Sequence, residues 1–374
     1  MSNIEIQPVA TRRARKQFLS LPWMLYKDDP NWTPPLRMNQ KELVNYKKHP
    51  FYDDAEIQTF LALRDGQPAG RIAAILNHAH NRQHKENRGF FGFFESVDDP
   101  GVAHGLLDAA REWFADRGVM SLRGPTNPSL NYECGLLVDG FDWPAFFMMT
   151  YNPPYYAKLI ESWGFEKVQD LYAFWGHTNM IEGLDSKLKF VVNEATERFN
   201  VKLRPMNRKD FLNDVKLFLN IYNESLSATW GFAPLSESEI QHMAAGLKHL
   251  IVPELALIGE IDGRPIGAVF AFLDYNPRIK EIDGRLFPTG LFKLLTNRRK
   301  IKNFRIIAAN VVPEFQRWGL GLVLVDGLLP MIYDWGIEEV EFSWVLESNA
   351  LSRRSLERGG AMLRKTYRIY DYEP

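Results

Sequence analysis

The sequence predicts an α/β chain of the α+β kind, built as two similar mixed-sheet domains over residues 1–180 and 181–374. Three observations carry that prediction. A hairpin phrase occurs twice, a second phrase recurs near the end of each half, and 374 residues are about what two domains need.

The hairpin phrases are DGQPAGRIAAIL from Asp65 and DGRPIGAVFAFL from Asp262, which begin 197 residues apart and agree at six of twelve positions. In each, a strand (TFLALR, ELALIGEI) meets Asp-Gly and a second strand follows. Asp-Gly between apolar runs is a strong hairpin signal, because glycine reaches positive φ without strain. The later phrases, NPPYYAKLIESWGF from Asn152 and NALSRRSLERGGA from Asn349, are also 197 residues apart.

In the second half, residues 201–206 read as a strand. Phe211, Val215, Leu219 and Tyr222 then follow at helical spacing. Ser236 and Glu239 form a capping box that opens a helix ending near Pro253. After the hairpin, residues 304–312 form an apolar strand stopped by Pro313. Residues 316–336 read as a helix with Leu320, Leu324, Leu328 and Ile332 on one face. Residues 339–347 read as a strand, 349–358 as a short helix and 362–372 as a final strand, giving the order β α α β β β α β α β.

The formal net charge of −1 argues against a surface built for nucleic acid. The single cysteine, Cys134, rules out an intrachain disulfide and a cysteine-based zinc site. No run approaches the ~18 apolar residues of a spanning helix, and the amino terminus lacks a signal-peptide core. A cytoplasmic protein is therefore expected. Aromatics make up 13% of the chain, material for large cores or an apolar cleft.

The chemistry-bearing segment is VVPEFQRWGLG, Val311 to Gly321. A buried strand stops at a proline, and a glycine-containing loop enters a helix. Such a helix start exposes unpaired N–H groups and partial positive charge. Gly319 and Gly321 lack a Cβ, so an anion can approach the backbone, and Arg317 adds full charge. This suits a pyrophosphate. It is not a P-loop, since no Gly-Lys-Ser/Thr follows, and Leu324 stands at the third glycine of a dinucleotide fingerprint.

Strand, V-x-P-x-x-Q/R-x-x-G-x-G, helix resembles motif A of the GNAT superfamily of N-acyltransferases, matched here by Val311, Pro313, Gln316, Gly319 and Gly321. The resemblance extends over the second half and implies a tandem GNAT fold with acyl-coenzyme A as donor. It implies that Val311, Val312, Gln316, Arg317, Trp318, Gly319, Leu320 and Gly321 line the coenzyme A site, and that Asn349 and Ser352 sit near the pantetheine arm. The Val312 amide is expected to steady the thioester oxyanion. Glu347, at a strand end, is a candidate base for the amine, although a solvated strand-end carboxylate is the simpler reading. Family members often carry a tyrosine as general acid on the last helix, where this chain has Leu356. Tyr367, Tyr370 and Tyr372 are conceivable substitutes.

The first half resembles a degenerate copy. At its motif A position stand Asp98 and Asp99, which cap a helix but repel pyrophosphate. One acyl-CoA site is expected, with the first half as scaffold and one wall of the acceptor site. The layout is most similar to tandem GNAT proteins of the bacterial YghO type, whose relatives include bacterial ceramide synthases.

Residues 276–302 carry eight basic residues against two acidic ones, interleaved with Leu286, Phe287, Leu291, Phe292, Leu294 and Leu295. Such a segment suits an anionic membrane surface. It equally suits a packed insertion, a flank for the 3′-phosphate, or a cover over an acyl chain. His78, His80 and His84 would share a strand face, conceivable for zinc, but no carboxylate or cysteine is spaced to complete a site. No metal is expected. Cys134 lacks an activating signature, and residues 143–156 read as core.

The expectation is an acyl-CoA-dependent N-acyltransferase acting on a small-molecule or lipid amine, such as a sphingoid base or an amino acid. Its expected place is the cytoplasm, with peripheral contact on the inner membrane through residues 276–302. A non-catalytic acyl-CoA-binding protein and a Fem-type aminoacyl transferase are the alternatives. Nucleic acid is not expected as a partner.

Overall fold

The computed structural model describes residues 3–183 and 185–374. They form two compact units. The first takes the chain as far as Leu171, together with Asn276–Lys293 and Lys365–Pro374; the second is Tyr172–Tyr275 with Leu294–Arg364. The division therefore differs from one cut at 180/181. Burial explains the difference. Tyr367, Ile369 and Tyr370 are fully buried, and Tyr370 belongs to the first unit's main apolar cluster. The C-terminal strand Met362–Tyr372 reaches that core by pairing antiparallel with Ser121–Gly124 and Leu136–Asp139.

The duplication is visible in the sheets. In the first unit, Ile4–Pro8, Ala55–Arg64, Gln67–Asn77 and Arg88–Ser96 pair antiparallel in that order, and Arg88–Ser96 then pairs parallel with Ser121–Gly124. In the second unit, Lys202–Pro205, Ala256–Ile261, Arg264–Leu273 and Asn303–Val311 repeat the antiparallel series, and Glu339–Leu346 adds the parallel strand. Both hairpins turn on Asp-Gly with positive φ at each residue: 50° and 76° at Asp65-Gly66, 50° and 77° at Asp262-Gly263. That is the turn whose twist matches the flanking strands. Each hairpin also carries a register shift at equivalent positions, Ala62/Leu63 and Gly259/Glu260.

Helices cover the sheets through their apolar stripes. Pro100–Ala115 buries Val102, Leu106, Leu107, Ala110 and Phe114 in the first unit. Phe211–Ser225 buries Phe211, Val215, Phe218 and Leu219 in the second. The Ser236–Glu239 capping box is formed in both directions and opens Glu237–Leu247. The helix expected over 316–336 begins only at Leu320. Pro313–Phe315 takes a single 3₁₀ turn, and Gly319 at φ 80° is left-handed. The helix then breaks after Asp326 and resumes over Leu329–Trp335. Pro330 has no N–H to give to the Asp326 carbonyl, so the i to i−4 ladder lapses there. Leu320, Leu324, Leu328 and Ile332 are all buried, as their spacing predicts.

Candidate functional site

The second unit's parallel strands pair only from Asn303 opposite Glu339 to Ile306 opposite Phe342. On its other side, Asn303–Val311 slips register: Phe270 faces Ala308, but Ala271 faces Ile306, which leaves Ile307 as a bulge. Past that point Ala309 is exposed, although its strand lies between two neighbours. The last paired segment is clamped by buried polar groups. Arg305 donates from Nε to Ser343 Oγ at 2.7 Å, and Ser343 Oγ donates to Glu341 Oε1 at 2.6 Å. Arg305 and Glu341 are both 1% exposed.

The backbone beyond the clamp settles which amides face the open side. Val312 N–H donates to Ile266 O at 2.9 Å. It is committed to the neighbouring strand, so the oxyanion role expected of the Val312 amide is corrected. Antiparallel partners alternate between bonded and non-bonded pairs. With Val312 bonded, the amides of Val311 and Ala309 point away from Arg264–Leu273, toward the side where parallel pairing has ended. The one-residue bulge sets this parity, and nothing in VVPEFQ announces it.

The loop that follows is ordered by its own side chains. Gln316 donates from Nε2 to Val311 O at 3.0 Å and to Ser225 O at 2.8 Å, tying the loop to the end of Phe211–Ser225. Arg317 is exposed and has no ion-pair partner among the described residues. Trp318 is 45% exposed; its ring lies 5.8 Å from that of Phe199, and Arg198 stacks over it at 4.3 Å. A Cβ on Gly319 would meet Val191 at 2.5 Å, so this glycine is required by both φ and packing. Gly321 differs. Its φ is not positive, and a Cβ there would meet nothing within 4 Å. Leu320 is buried and holds the turn in the core.

Glu347 is half-buried in the turn after Leu346. Asn349 Oδ1 accepts from Ser352 N at 3.1 Å, so these two residues form the N-cap of Ala350–Arg358. Leu356 is half-buried on that helix. Of the tyrosines considered as acid substitutes, Tyr367 is buried, and Tyr370 and Tyr372 have structural partners in the first unit. Tyr370 donates to Glu161 at 2.9 Å, and Tyr372 lies 4.8 Å from the Trp163 ring. Burial and the Glu161 carboxylate raise the Tyr370 pKa, which makes it a poorer proton donor.

In the first unit the same backbone positions are closed. Val97 N donates to Ala69 O at 2.9 Å, matching Val312 with Ile266. Ser96 therefore corresponds to Val311. Its N–H donates to Tyr156 Oη at 2.9 Å, and its carbonyl accepts from Tyr155 Oη at 2.8 Å. Asp99 Oδ1 accepts from Gly101 N at 2.9 Å and caps Pro100–Ala115. Tyr156 occupies the amide that the second unit leaves open, and Tyr155 takes the carbonyl whose counterpart there is met by Gln316. The tyrosines stand in the phrase from Asn152, but their role was not legible without the register. Asn152 itself differs from Asn349: it is buried and exchanges hydrogen bonds with Leu137, at 2.7 and 3.0 Å.

Other candidates resolve into structure. His78–His84 is a helix, not a strand, capped by Asn77, whose Oδ1 accepts from His80 N. His80 and His84 meet at 4.4 Å between ring centroids, and His80 Nε2 lies 3.3 Å from Glu86. No group of three His, Cys, Asp or Glu able to hold a metal occurs among the described residues. Cys134 is buried. Ala145, Phe146, Phe147 and Met149 are core, while Trp143 is 50% exposed. A cleft of about 510 Å³ beside Arg204 is lined by charges that neutralise one another, Arg204 bonding Asp214 at 2.9 Å and Glu260 at 2.7 Å. No described helix is long and apolar enough to cross a membrane.

Comparison with known proteins agrees with this anatomy. No family model matches the chain. It is 33% identical over 362 residues to Protein YghO of Escherichia coli K12, spanning 95% of this chain and 92% of the relative. It is 34% identical over 381 residues to the bacterial ceramide synthase of Caulobacter vibrioides, spanning 99% and 97%. Among solved structures, a tandem GNAT protein from the clavulanic acid biosynthesis pathway aligns over 99% of this chain and 98% of its own, with a TM-score of 0.57 at 12% identity. A GCN5-related N-acetyltransferase from Sphaerobacter thermophilus aligns over 99% and 95%, with a TM-score of 0.54 at 14% identity. With two similar units, one open and one closed at its motif strand, the chain has the fold of a tandem GNAT protein and belongs to the family of YghO and the bacterial ceramide synthase.

Proposed function

We propose that this protein is an acyl-CoA-dependent N-acyltransferase with one active unit, the second. The observation that carries the reading is the contrast at the motif strand: protein groups satisfy Ser96 on both backbone atoms, whereas no protein group meets the Val311 N–H among the described residues. Buried backbone donors require partners, so an amide left open beside a bulge is a place for a ligand.

The residues present fit the donor. Gly321 leaves room over the first turn of Leu320–Asp326, the amides of Gly319, Leu320 and Gly321 meet no protein acceptor among the described residues, and Arg317 supplies an unpaired cation, a set suited to a pyrophosphate. Acyl-CoA would bring a thioester carbonyl activated for attack. The Val311 amide would bond the oxygen of that carbonyl as negative charge gathers on it, and the Ala309 amide, about 6.7 Å back along the strand, would be left for another carbonyl of the donor. Glu347 would take the proton from the attacking amine. The side chain of Leu356 offers no proton to a leaving thiolate, so water or the thiol's own acidity serves.

The acceptor we favour is a long-chain primary amine of the sphingoid-base type, with an amino acid as the competing class. The support is the 34% identity to a bacterial ceramide synthase. A cytoplasmic enzyme acting at the inner membrane surface fits that acceptor. Calorimetric titration with CoA, acetyl-CoA and palmitoyl-CoA, followed by an acylation assay on a sphingoid base, tests the reading. Binding of the long-chain donor with turnover supports it. Donor binding without turnover on any amine would make the chain an acyl-CoA-binding protein, and absence of binding would remove the donor assignment.

A further inference from the structure

We propose that the loop Gly284–Lys293 docks the protein on a bilayer rich in anionic phospholipid. The inference stands on this loop's own geometry and does not depend on the acyl-transfer reading.

The base of the loop is fastened. Arg37 pairs with Asp283 at 2.6 Å and donates from Nε to the Asp283 carbonyl at 3.1 Å. Trp23 Nε1 donates to Asp283 Oδ1 at 2.5 Å, and Arg37 N donates to Gly284 O at 3.0 Å. Ile279 and Ile282, at 3% and 9% exposure, anchor the preceding turn inward. The loop closes on itself through Leu291 N to Leu286 O at 2.7 Å, and Gly290 packs against the Arg285 carbonyl so closely that a Cβ would stand 1.9 Å from it.

On that fixed base the chain presents Phe287 at 65% and Phe292 at 73% exposure. A single exposed apolar side chain is ordinary. Two phenyl rings held outward by a strapped loop are not, because the fastening prevents the local collapse that would cover them. The same segment carries the exposed cations Lys280, Arg285 and Lys293, with Glu281 as its one exposed acid. Asp283, the other acid, is held by Arg37 at 2.6 Å and shared with Arg285 at 3.4 Å. Phenyl rings beside cations are what the headgroup layer of an anionic membrane accepts: rings at the acyl boundary, charges at the phosphates. A soluble acidic protein would match the charges but offers no reason for two phenyl rings to stand this far exposed.

The test is flotation of the full chain with vesicles of phosphatidylglycerol and phosphatidylcholine, against phosphatidylcholine alone. Binding is expected only to the anionic vesicles and should weaken as salt rises and the Debye length shortens. Phe287→Ser with Phe292→Ser, and separately Arg285→Glu with Lys293→Glu, should each reduce bound protein by about tenfold or more. Thermal melts matching wild type would show that these exposed substitutions leave the fold intact. Equal binding to neutral vesicles, no binding, or unchanged binding by both variants would overturn the proposal. So would light scattering that shows a dimer abolished by Phe287→Ser with Phe292→Ser, since the rings would then be covered by a second copy.

Discussion

Replacing Gly321 by alanine should make the protein more stable and its donor binding worse. Glycine in a helix is about 1 kcal/mol less favourable than alanine at an interior position, and part of that arises from freedom lost by the unfolded chain. Gly321 stands in the first turn of Leu320–Asp326, where the difference is smaller, and a Cβ there meets nothing within 4 Å. The expected gain is about 0.5 kcal/mol, or a rise in melting temperature of about 1–2 °C for a unit of this size. The same Cβ would stand where a pyrophosphate must approach the loop amides. Losing tenfold in affinity corresponds to about 1.4 kcal/mol, and one displaced charge-assisted hydrogen bond is worth at least that. Gly321→Asp adds a carboxylate facing the same anion and should lower affinity by a further order of magnitude or more. Gly319→Ala is the contrasting control: at φ 80° and with Val191 2.5 Å from its Cβ, it should destabilise the fold outright. Urea unfolding and calorimetry with CoA read the two effects separately. Wild-type CoA affinity in both Gly321 variants would refute the placement of the pyrophosphate. A destabilised Gly321→Ala would refute the claim that the space over this residue serves no packing purpose.

Other consequences concern buried charge. Burial, with His84 alongside, lowers the His80 pKa from 6.5 to about 4, while the unfolded chain binds the proton near 6.5. Between those values the unfolded state takes up the proton first, so stability is full above about pH 6.5 and falls by about 2–3 kcal/mol as pH drops toward 4. Urea midpoints at pH 7 and pH 5 should diverge less in His80→Gln than in wild type; equal divergence would clear His80. Glu95 accepts from Tyr26 at 2.6 Å and Tyr156 at 2.8 Å and faces Arg71, whose side chain is 4% exposed. Glu95→Ala strands that guanidinium and should cost about 3–5 kcal/mol in urea unfolding, and a loss under 1 kcal/mol would show Arg71 finding water. Arg305→Met removes the buried cation paired with Glu341, itself 1% exposed, and should destabilise by a similar amount while slowing donor binding through a loosened strand pair. Unchanged stability would mean that Ser343 and the nearby Arg364 suffice for Glu341.

Local chemistry was legible in the sequence wherever a residue acts on its own neighbours. Asp65-Gly66 and Asp262-Gly263 specify their turns because glycine and aspartate adopt positive φ there, and Ser236 with Glu239 specifies a helix start because both bonds lie within one turn. Asn77 was such a signal too. Read as an N-cap, it places His78–His84 on a helix, and the alternating histidines distracted from it. What was not legible depends on register and on distant partners. The bulge at Ile307 decides whether Val311 or Val312 turns its amide to the open side, and one slipped residue reverses every assignment beyond it. Met362–Tyr372 has an ordinary strand pattern, which does not say that Tyr367 and Tyr370 complete the core of the first unit.

The two copies also predict a difference in exchange at equivalent amides. A duplicated strand end leaves a duplicated problem, because each interrupted pairing exposes backbone donors that need partners. The first unit solves it with Tyr155 and Tyr156, which bond both backbone atoms of Ser96 and seal the position at 0% exposure of Tyr156. The second unit supplies Gln316 to the Val311 carbonyl and nothing among the described residues to its N–H. Hydrogen exchange should therefore find the Ser96 amide slow with or without donor. The Val311 and Ala309 amides should be fast alone and slow with CoA or an acyl-CoA. Saturating donor should also stabilise the second unit by about 2.7 kcal/mol at a hundred times Kd. Slow exchange at Val311 in the free protein would mean the strand end is closed in both units, and the divergence between the copies would lose its functional meaning. Donor-dependent protection at Ser96 would place the site in the wrong copy.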